Sequence, residues 1–262
     1  MFGRITKIAL LLLIILFCAS FVVFRYYGNQ IEANWFNDQV REYLTRYPLL
    51  RGIYALHWDG DAKSDYLSTN DYQKLIVEID SIEACQKYFI NNDSLINQIS
   101  ELVQKPEGVK IVVGDPLDDD EMVYLDSNSM DRAINGIKDR LQDNKSKDQH
   151  AVLYVLCLDY NRDAPTNIGL TYQDDTVLLF FDEIEKLTKE NPDSLPIYLK
   201  TTLLHEFGHQ LGLGHVDDNN CLMAETIENP GNSAAALKNI PQQFCQPSLS
   251  QLDEYRLIYQ TN

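Results

Sequence analysis

His205-Glu-Phe-Gly-His209-Gln-Leu-Gly212-Leu-Gly-His215, with Met223 eight residues further on, decides how this chain is read. On a helix, residues four apart share a face. His205 and His209 therefore present two imidazoles about one turn apart. Glu206 stands next to the first, where its carboxylate reaches a metal-held water without being a ligand. Two zinc ligands and a general base is what this spacing supplies. Zinc takes four ligands in a tetrahedron, and a catalytic site keeps one exchangeable. The third protein ligand must then come from beyond the helix. Gly212 is placed to break the helix, because glycine adopts left-handed backbone angles at little cost. Gly214 adds a second permissive position, and the chain can return His215 to the metal.

The residues ahead of the motif predict a helix over roughly 195–211. Ser194 can cap it and Pro196 falls in its first turn. Leu199, Leu203, Leu204, Phe207 and Leu211 provide apolar positions. A buried helix with hydrogen-bonded histidines would explain one histidine. It does not explain why three of the chain's five fall at ligand spacing.

His205, Glu206, His209, Gly212, His215 and Met223 together resemble the metzincin clan of zinc metallopeptidases. The resemblance implies three histidine ligands, Glu206 as base and acid, and a tight Met-turn under the metal at Met223. The step from His215 to Met223 is similar to that of matrixins and archaemetzincins, and Leu211-Gly212-Leu213 is matrixin-like. The resemblance covers about 109–262, and its strong part is 203–223. Archaemetzincins hold a second, structural zinc on four cysteines. Here two of those positions are Val216 and Ser248, and only Cys221 and Cys245 remain. One catalytic zinc is therefore expected, and the surviving pair could form a disulfide instead. The matrixin cysteine-switch signature is missing. Glu225 stands where astacin-like members carry an extra tyrosine ligand. The clan follows from these residues; the family within it does not.

The fold class implied is α/β, or α+β in the metzincin manner. It has a mixed, mostly parallel twisted sheet, an active-site helix carrying the motif, the Met-turn and a C-terminal helix. Val109 to Val113, Ala151 to Leu158 and Thr176 to Phe181 read as strands, and Met130 to Leu141 has helical spacing. Thr176–Phe181 is the candidate edge strand for pairing extended substrate. The last helix is expected over about 250–260, capped by Ser248 or Ser250. Residues 28–58 contain an amphipathic helix ended by Pro48 and Gly52, and 59–71 read as a polar linker or exposed loop. Residues 72–104 are mostly helical in pattern, although Leu75 to Ile79 could be a strand. Lys105-Pro-Glu-Gly108 sets the expected boundary. This gives 1–7 as a cytoplasmic tail, 8–24 as a transmembrane signal anchor or signal peptide, 25–108 as a mainly helical juxtamembrane region and 109–262 as the catalytic domain.

Ile8 to Phe24 is an uncharged apolar run preceded by Arg4 and Lys7. That pattern keeps the N-terminus cytoplasmic and exports the rest. An uncleaved anchor is the reading taken; cleavage near Ser20 would instead release a secreted form. Net charge is −17, and the first 27 residues hold three basic and no acidic side chains. Nucleic acid is thereby excluded as a partner, since its phosphates need Lys and Arg. The run Asp115-Pro-Leu-Asp118-Asp-Asp-Glu121 could bind Ca2+, but lacks an EF-hand's spacing and reads first as an acidic loop. Cys18 lies in the apolar run, and four cysteines remain outside it. Two disulfides are permitted there. Cys85 and Cys157 are then a pair by elimination only, and Cys157 also reads as a small buried residue in a strand.

The function expected is endopeptidase cleavage of proteins or peptides outside the cytoplasm. Glu206 takes the proton of the attacking water and returns it to the leaving amine. Residues 224–243 would wall the pocket beyond the scissile bond. The alternatives are an inactive, zinc-stabilised binding module on the same scaffold, or an exopeptidase. Intact Glu206 speaks against the module, because a residue that is not a ligand would be free to change.

Overall fold

A computed structural model describes residues 2–28, 35–47, 50–51, 62–117, 130–147, 149–159, 166–173, 175–227 and 240–260. Their core is one five-stranded sheet. Strands β1 (Lys74–Ser81), β2 (Val109–Pro116), β3 (His150–Leu158), β4 (Gly169–Tyr172) and β5 (Thr176–Phe180) lie in the order β2-β1-β3-β5-β4. All neighbours are parallel except β4, which pairs antiparallel with β5. A strand in the middle of a parallel sheet is covered on both faces, so it reads as a continuous apolar run. β3 meets that condition, with every residue from Ala151 to Leu158 buried.

Three expectations change. The strand at 176–180 is internal, flanked by β3 and β4, and all five of its residues are buried. The edge next to it is β4, four residues that the sequence reading left unassigned. Residues 74–81 form a strand, so the sheet begins ahead of the expected boundary at 108 and β1 joins β2 to β3 across it. Its two acidic residues obscured it, and both have local partners. Glu78 accepts from the backbone N–H of Asp143 (2.6 Å) and Asn144 (2.8 Å). Asp80 accepts from the Tyr154 hydroxyl at 2.5 Å. Burial raises the Asp80 pKa to about 6, with the charges of Glu78 and Asp115 pushing the same way against the Tyr154 bond.

The third change concerns 59–71. Its described part contains helix α3 (Ala62–Leu67), and every residue of that helix is buried. In chain order the helices before it are α1 (Phe2–Gly28) and α2 (Trp35–Arg46). Those after it are α4 (Glu83–Gln86), α5 (Asp93–Val103), α6 (Met130–Leu141), α7 (Phe181–Thr188), α8 (Leu195–Gln210) and α9 (Gln246–Tyr259). α3 is wedged between sheet and helix. The Tyr66 hydroxyl donates to the Val152 carbonyl at 3.1 Å, and its ring meets Phe207 edge-on at 5.3 Å. Lys105 locks the following turn by donating to the carbonyls of Asp65 (2.6 Å), Ser68 and Tyr72 (2.8 Å). Burial draws its pKa down to about 7, against the pull of Asp65 and Asp71.

α2 confirms a helix in 28–58, and its Leu44 enters the core. Tyr43 and Tyr47, however, stack on each other in solvent. Arg41 ties α2 to α9, through an ion pair with Glu254 and a guanidinium 5.5 Å from the Tyr255 ring centre. Pro48 and Gly52 lie outside the described residues. α1 is long and apolar enough over Thr6–Val23 to be a membrane span or a signal sequence, and none of that window is buried.

The helices divide by sheet face. Cross-strand partners share a face, so Glu78, Tyr154 and Thr176 point one way and Thr171 and Val177 the other. α6 covers the first face, with Lys138 donating to Asp175 (2.6 Å) and Thr176 Oγ1 (2.8 Å). α8 lies along the second, above β4 and β5. Gln210 of α8 donates to the Thr176 carbonyl at 2.8 Å. A disulfide between Cys85 and Cys157 ties α4 to the end of β3.

Candidate metal centre

α8 spans 195–210, close to the expected helix, but Ser194 does not cap it through its side chain. A short 3-10 turn at Pro192–Ser194 leads in, and the Ser194 hydroxyl donates to the Asn191 carbonyl at 2.6 Å. At the other end Gly212 takes φ +87°. Its N–H bonds the His209 carbonyl (2.8 Å), and the Leu213 N–H bonds the Gly208 carbonyl (3.0 Å). These two bonds are a Schellman ending, in which a left-handed residue satisfies the last carbonyls and turns the chain sharply. The turn brings His215 back over the helix.

The three histidines converge. His209 Nε2 lies 3.1 Å from His205 Nε2 and 3.2 Å from His215 Nε2. His205 Nδ1 faces the Leu222 carbonyl at 2.6 Å, and His209 Nδ1 faces the Leu213 carbonyl at 2.9 Å. A carbonyl only accepts, so each Nδ1 carries the proton and leaves a lone pair on Nε2. A tetrahedral zinc with bonds of ~2.0–2.1 Å needs ligand nitrogens ~3.3–3.4 Å apart. The two spacings to His209 lie near that value, and the ligand nitrogens of His205, His209 and His215 all fall within 4.8 Å of one another, so the donor set and its tautomers suit zinc. Two of these residues are buried and His215 is exposed, so the group opens to solvent on one side.

The loop after His215 supports this arrangement. Cys221 to Ala224 close a turn, with the Ala224 N–H bonding the Cys221 carbonyl at 3.0 Å. Leu222 in that turn supplies the carbonyl that orients His205. Met223 accepts from Val216, the neighbour of His215, at 2.9 Å. The Met223 side chain is buried against Gly208. A Cβ on Gly208 would stand 2.5 Å from Met223 Sδ, so this glycine makes room for the methionine. The sequence reading gave Gly208 no role.

Cys221 is bonded to Cys245, so neither sulfur is available to a second metal. Ser248 is buried with its Oγ 3.6 Å and 3.5 Å from the two sulfurs. It therefore sits in the third turn position of α9, which starts at Gln246 with no side-chain cap, rather than capping a helix from 250. Residues 118–121 of the acidic run lie outside the described residues, as do 228–239 of the proposed pocket wall.

Glu206 is buried beside His205. The hydroxyl of Thr171, on β4, reaches Glu206 Oε2 at 2.8 Å and the Glu206 carbonyl at 2.9 Å. Two residues earlier, a Cβ on Gly169 would stand 2.9 Å from Glu206 Oε1 and 2.5 Å from Thr202 Cγ2. Neither residue was legible without β4.

The Matrixin family model matches residues 169–242, from β4 through the three histidines and Met223. Over that stretch the chain is zinc-metallopeptidase-like. No curated protein matches the chain at significant similarity. Among solved structures, an archaemetzincin from Methanopyrus kandleri has a TM-score of 0.47 and 19% identity, covering 71% of this chain and 96% of its own. A zinc-dependent peptidase from Methanocorpusculum labreanum has a TM-score of 0.47 and 15% identity, covering 68% of this chain and 99% of its own. An archaemetzincin from Archaeoglobus fulgidus, complexed with malonate, has a TM-score of 0.42 at 15% identity, with coverage of 68% and 99%.

Proposed function

We propose that this chain, matrixin-like over residues 169–242, is a zinc-dependent endopeptidase. The observation that carries the reading is the convergence of three Nε2 atoms next to a buried carboxylate. His205, His209 and His215 hold the metal. Zinc bound there supplies a water acidified toward neutral pH and a Lewis acid for the scissile carbonyl. Glu206 takes a proton from the attacking water and delivers it to the leaving amine. Met223 packs beneath the histidines and transfers no proton.

Extended substrate pairs with the open edge of β4, which among the described residues has one sheet neighbour, β5. Pairing of this kind recognises a run of main chain, not a terminus, and so favours internal cleavage. α1 anchors the chain in a membrane with Arg4 and Lys7 on the cytoplasmic side, and the remainder is exported. The two disulfides suit an oxidising compartment. The catalytic unit then comprises 109–262 together with β1 and α3.

Full-length protein in detergent, incubated with a diverse peptide library, tests the reading. The wild type should bind one zinc and cut internal bonds. Glu206→Gln should keep the zinc and lose ~10²–10⁴-fold in rate. Full activity in that variant removes Glu206 from the mechanism, and products trimmed only at their ends replace endopeptidase with exopeptidase.

A further inference from the structure

We infer that Thr171 is a positioning residue for Glu206, and that β4 therefore couples the pairing of a peptide main chain to the setting of the base. The inference rests on the endopeptidase reading above and deepens it.

A threonine hydroxyl has one proton, and here it stands within bonding distance of two acceptors on the same residue, Oε2 and the main-chain carbonyl of Glu206. Whichever it serves, Thr171 is held against Glu206. A glutamate has three side-chain torsions, and only some of their combinations face a water on the zinc. A bond to Oε2 restricts the carboxylate's rotation, and with it the direction of Oε1. Gly169 acts from the same side. Residues two apart on a strand share a face, so Gly169 and Thr171 both point at α8. Gly169 leaves space where any larger residue would meet Oε1 at 2.9 Å and Cγ at 3.0 Å. One short strand thus controls both ends of the carboxylate.

That strand also carries the open edge. β4 is tied to the sheet by pairing Thr171 with Val177 and Gly169 with Leu179. Its other edge has no neighbour among the described residues. A substrate main chain added there would order the same four residues that hold Glu206. The Thr171 side chain stands off the sheet toward α8, away from an in-plane partner. Its loss should therefore act on turnover more than on substrate binding.

The test uses full-length protein and a peptide identified from the library. Thr171→Val keeps the shape and removes the hydroxyl, and should lower kcat ~10–100-fold while KM stays within about twofold. Zinc affinity, measured by chelator competition, should stay within about twofold, as Thr171 bonds Glu206, which is not a ligand. Thr171→Ser should restore most of the rate. In a Glu206→Ala background, Thr171→Val should cost nothing further, because a residue that acts through Glu206 has nothing left to position. Wild-type kcat in Thr171→Val overturns the inference, as does an undiminished loss in the Glu206→Ala background or a failure of serine to rescue. A wild type inert toward the library overturns the peptidase reading and the inference with it. An active wild type matched by Thr171→Val overturns the inference alone.

Discussion

Gly212→Ala should damage both the fold and the metal site, and the structure sets the size of each effect. Gly212 has φ +87° at the end of α8. A left-handed backbone costs a residue with a Cβ ~1–2 kcal/mol. The added methyl would also meet Lys63 Nζ at 2.8 Å and the Tyr255 ring at 3.0 Å. Overpacking of that kind costs ~1–3 kcal/mol. The metal-free variant should therefore lose ~2–5 kcal/mol in urea denaturation. If the turn relaxes to relieve the strain, His215 moves, and zinc affinity should fall ~10–100-fold, as when a ligand loses its orienting partner. Two comparisons separate the causes. Gly212→Asn keeps the Cβ but tolerates left-handed angles, so it should recover ~1 kcal/mol relative to alanine. Gly136→Ala should go the other way. Gly136 lies within α6 and a Cβ there meets nothing within 4 Å, so alanine should stabilise by ~0.5–1 kcal/mol. Unchanged stability and zinc affinity in Gly212→Ala would refute the argument, and equal losses for Asn and Ala would refute its backbone part.

The two disulfides should separate in their effects. Cys221→Ser with Cys245→Ser opens a 24-residue closure beneath the Met-turn and should cost ~3 kcal/mol on loop entropy, with weakened zinc binding. Cys85→Ala with Cys157→Ala opens a 72-residue closure and should cost ~4 kcal/mol with zinc binding intact, both read by urea denaturation and chelator competition. Asp80 should impose a pH dependence. Between 3.8 and about 6 the folded chain keeps its proton while the unfolded chain loses it, so the stability it contributes is full at lower pH and lost as pH rises through about 6. Asp80→Asn should flatten that decline by up to ~3 kcal/mol, measured as the difference from wild type in urea denaturation across the window.

The metal helix was legible because its chemistry and its geometry use the same residues. His205 and His209 are at once candidate ligands and a helical spacing, Gly212 marks the helix end, and α8 falls within a residue of expectation. β3 and β5 were legible as apolar runs. β4 was not, because four residues beginning with glycine are too short for a period-two signal. That omission produced the wrong edge strand and hid Thr171 and Gly169. β1 was half-legible, since Glu78 and Asp80 look like surface residues until their partners from 143, 144 and 154 are in place. α3 was read as linker for the same reason. Its polar side chains are burial-compatible only beside Lys105 and the sheet, contacts that no local pattern encodes.

α3 has a consequence for how far the chain can be trimmed. Phe207 lies two positions from both His205 and His209, on the far side of α8, and Tyr66 supports it there. Removing the residues ahead of Ala62 would leave that support in place, but it would take away α2, and with it Leu44 from the core and Arg41 from Glu254 of α9. A cut beyond Leu67 would withdraw the support itself and loosen the helix from behind. Trimming from the front therefore frays the C-terminal helix before it reaches the back of the helix that carries the three histidines.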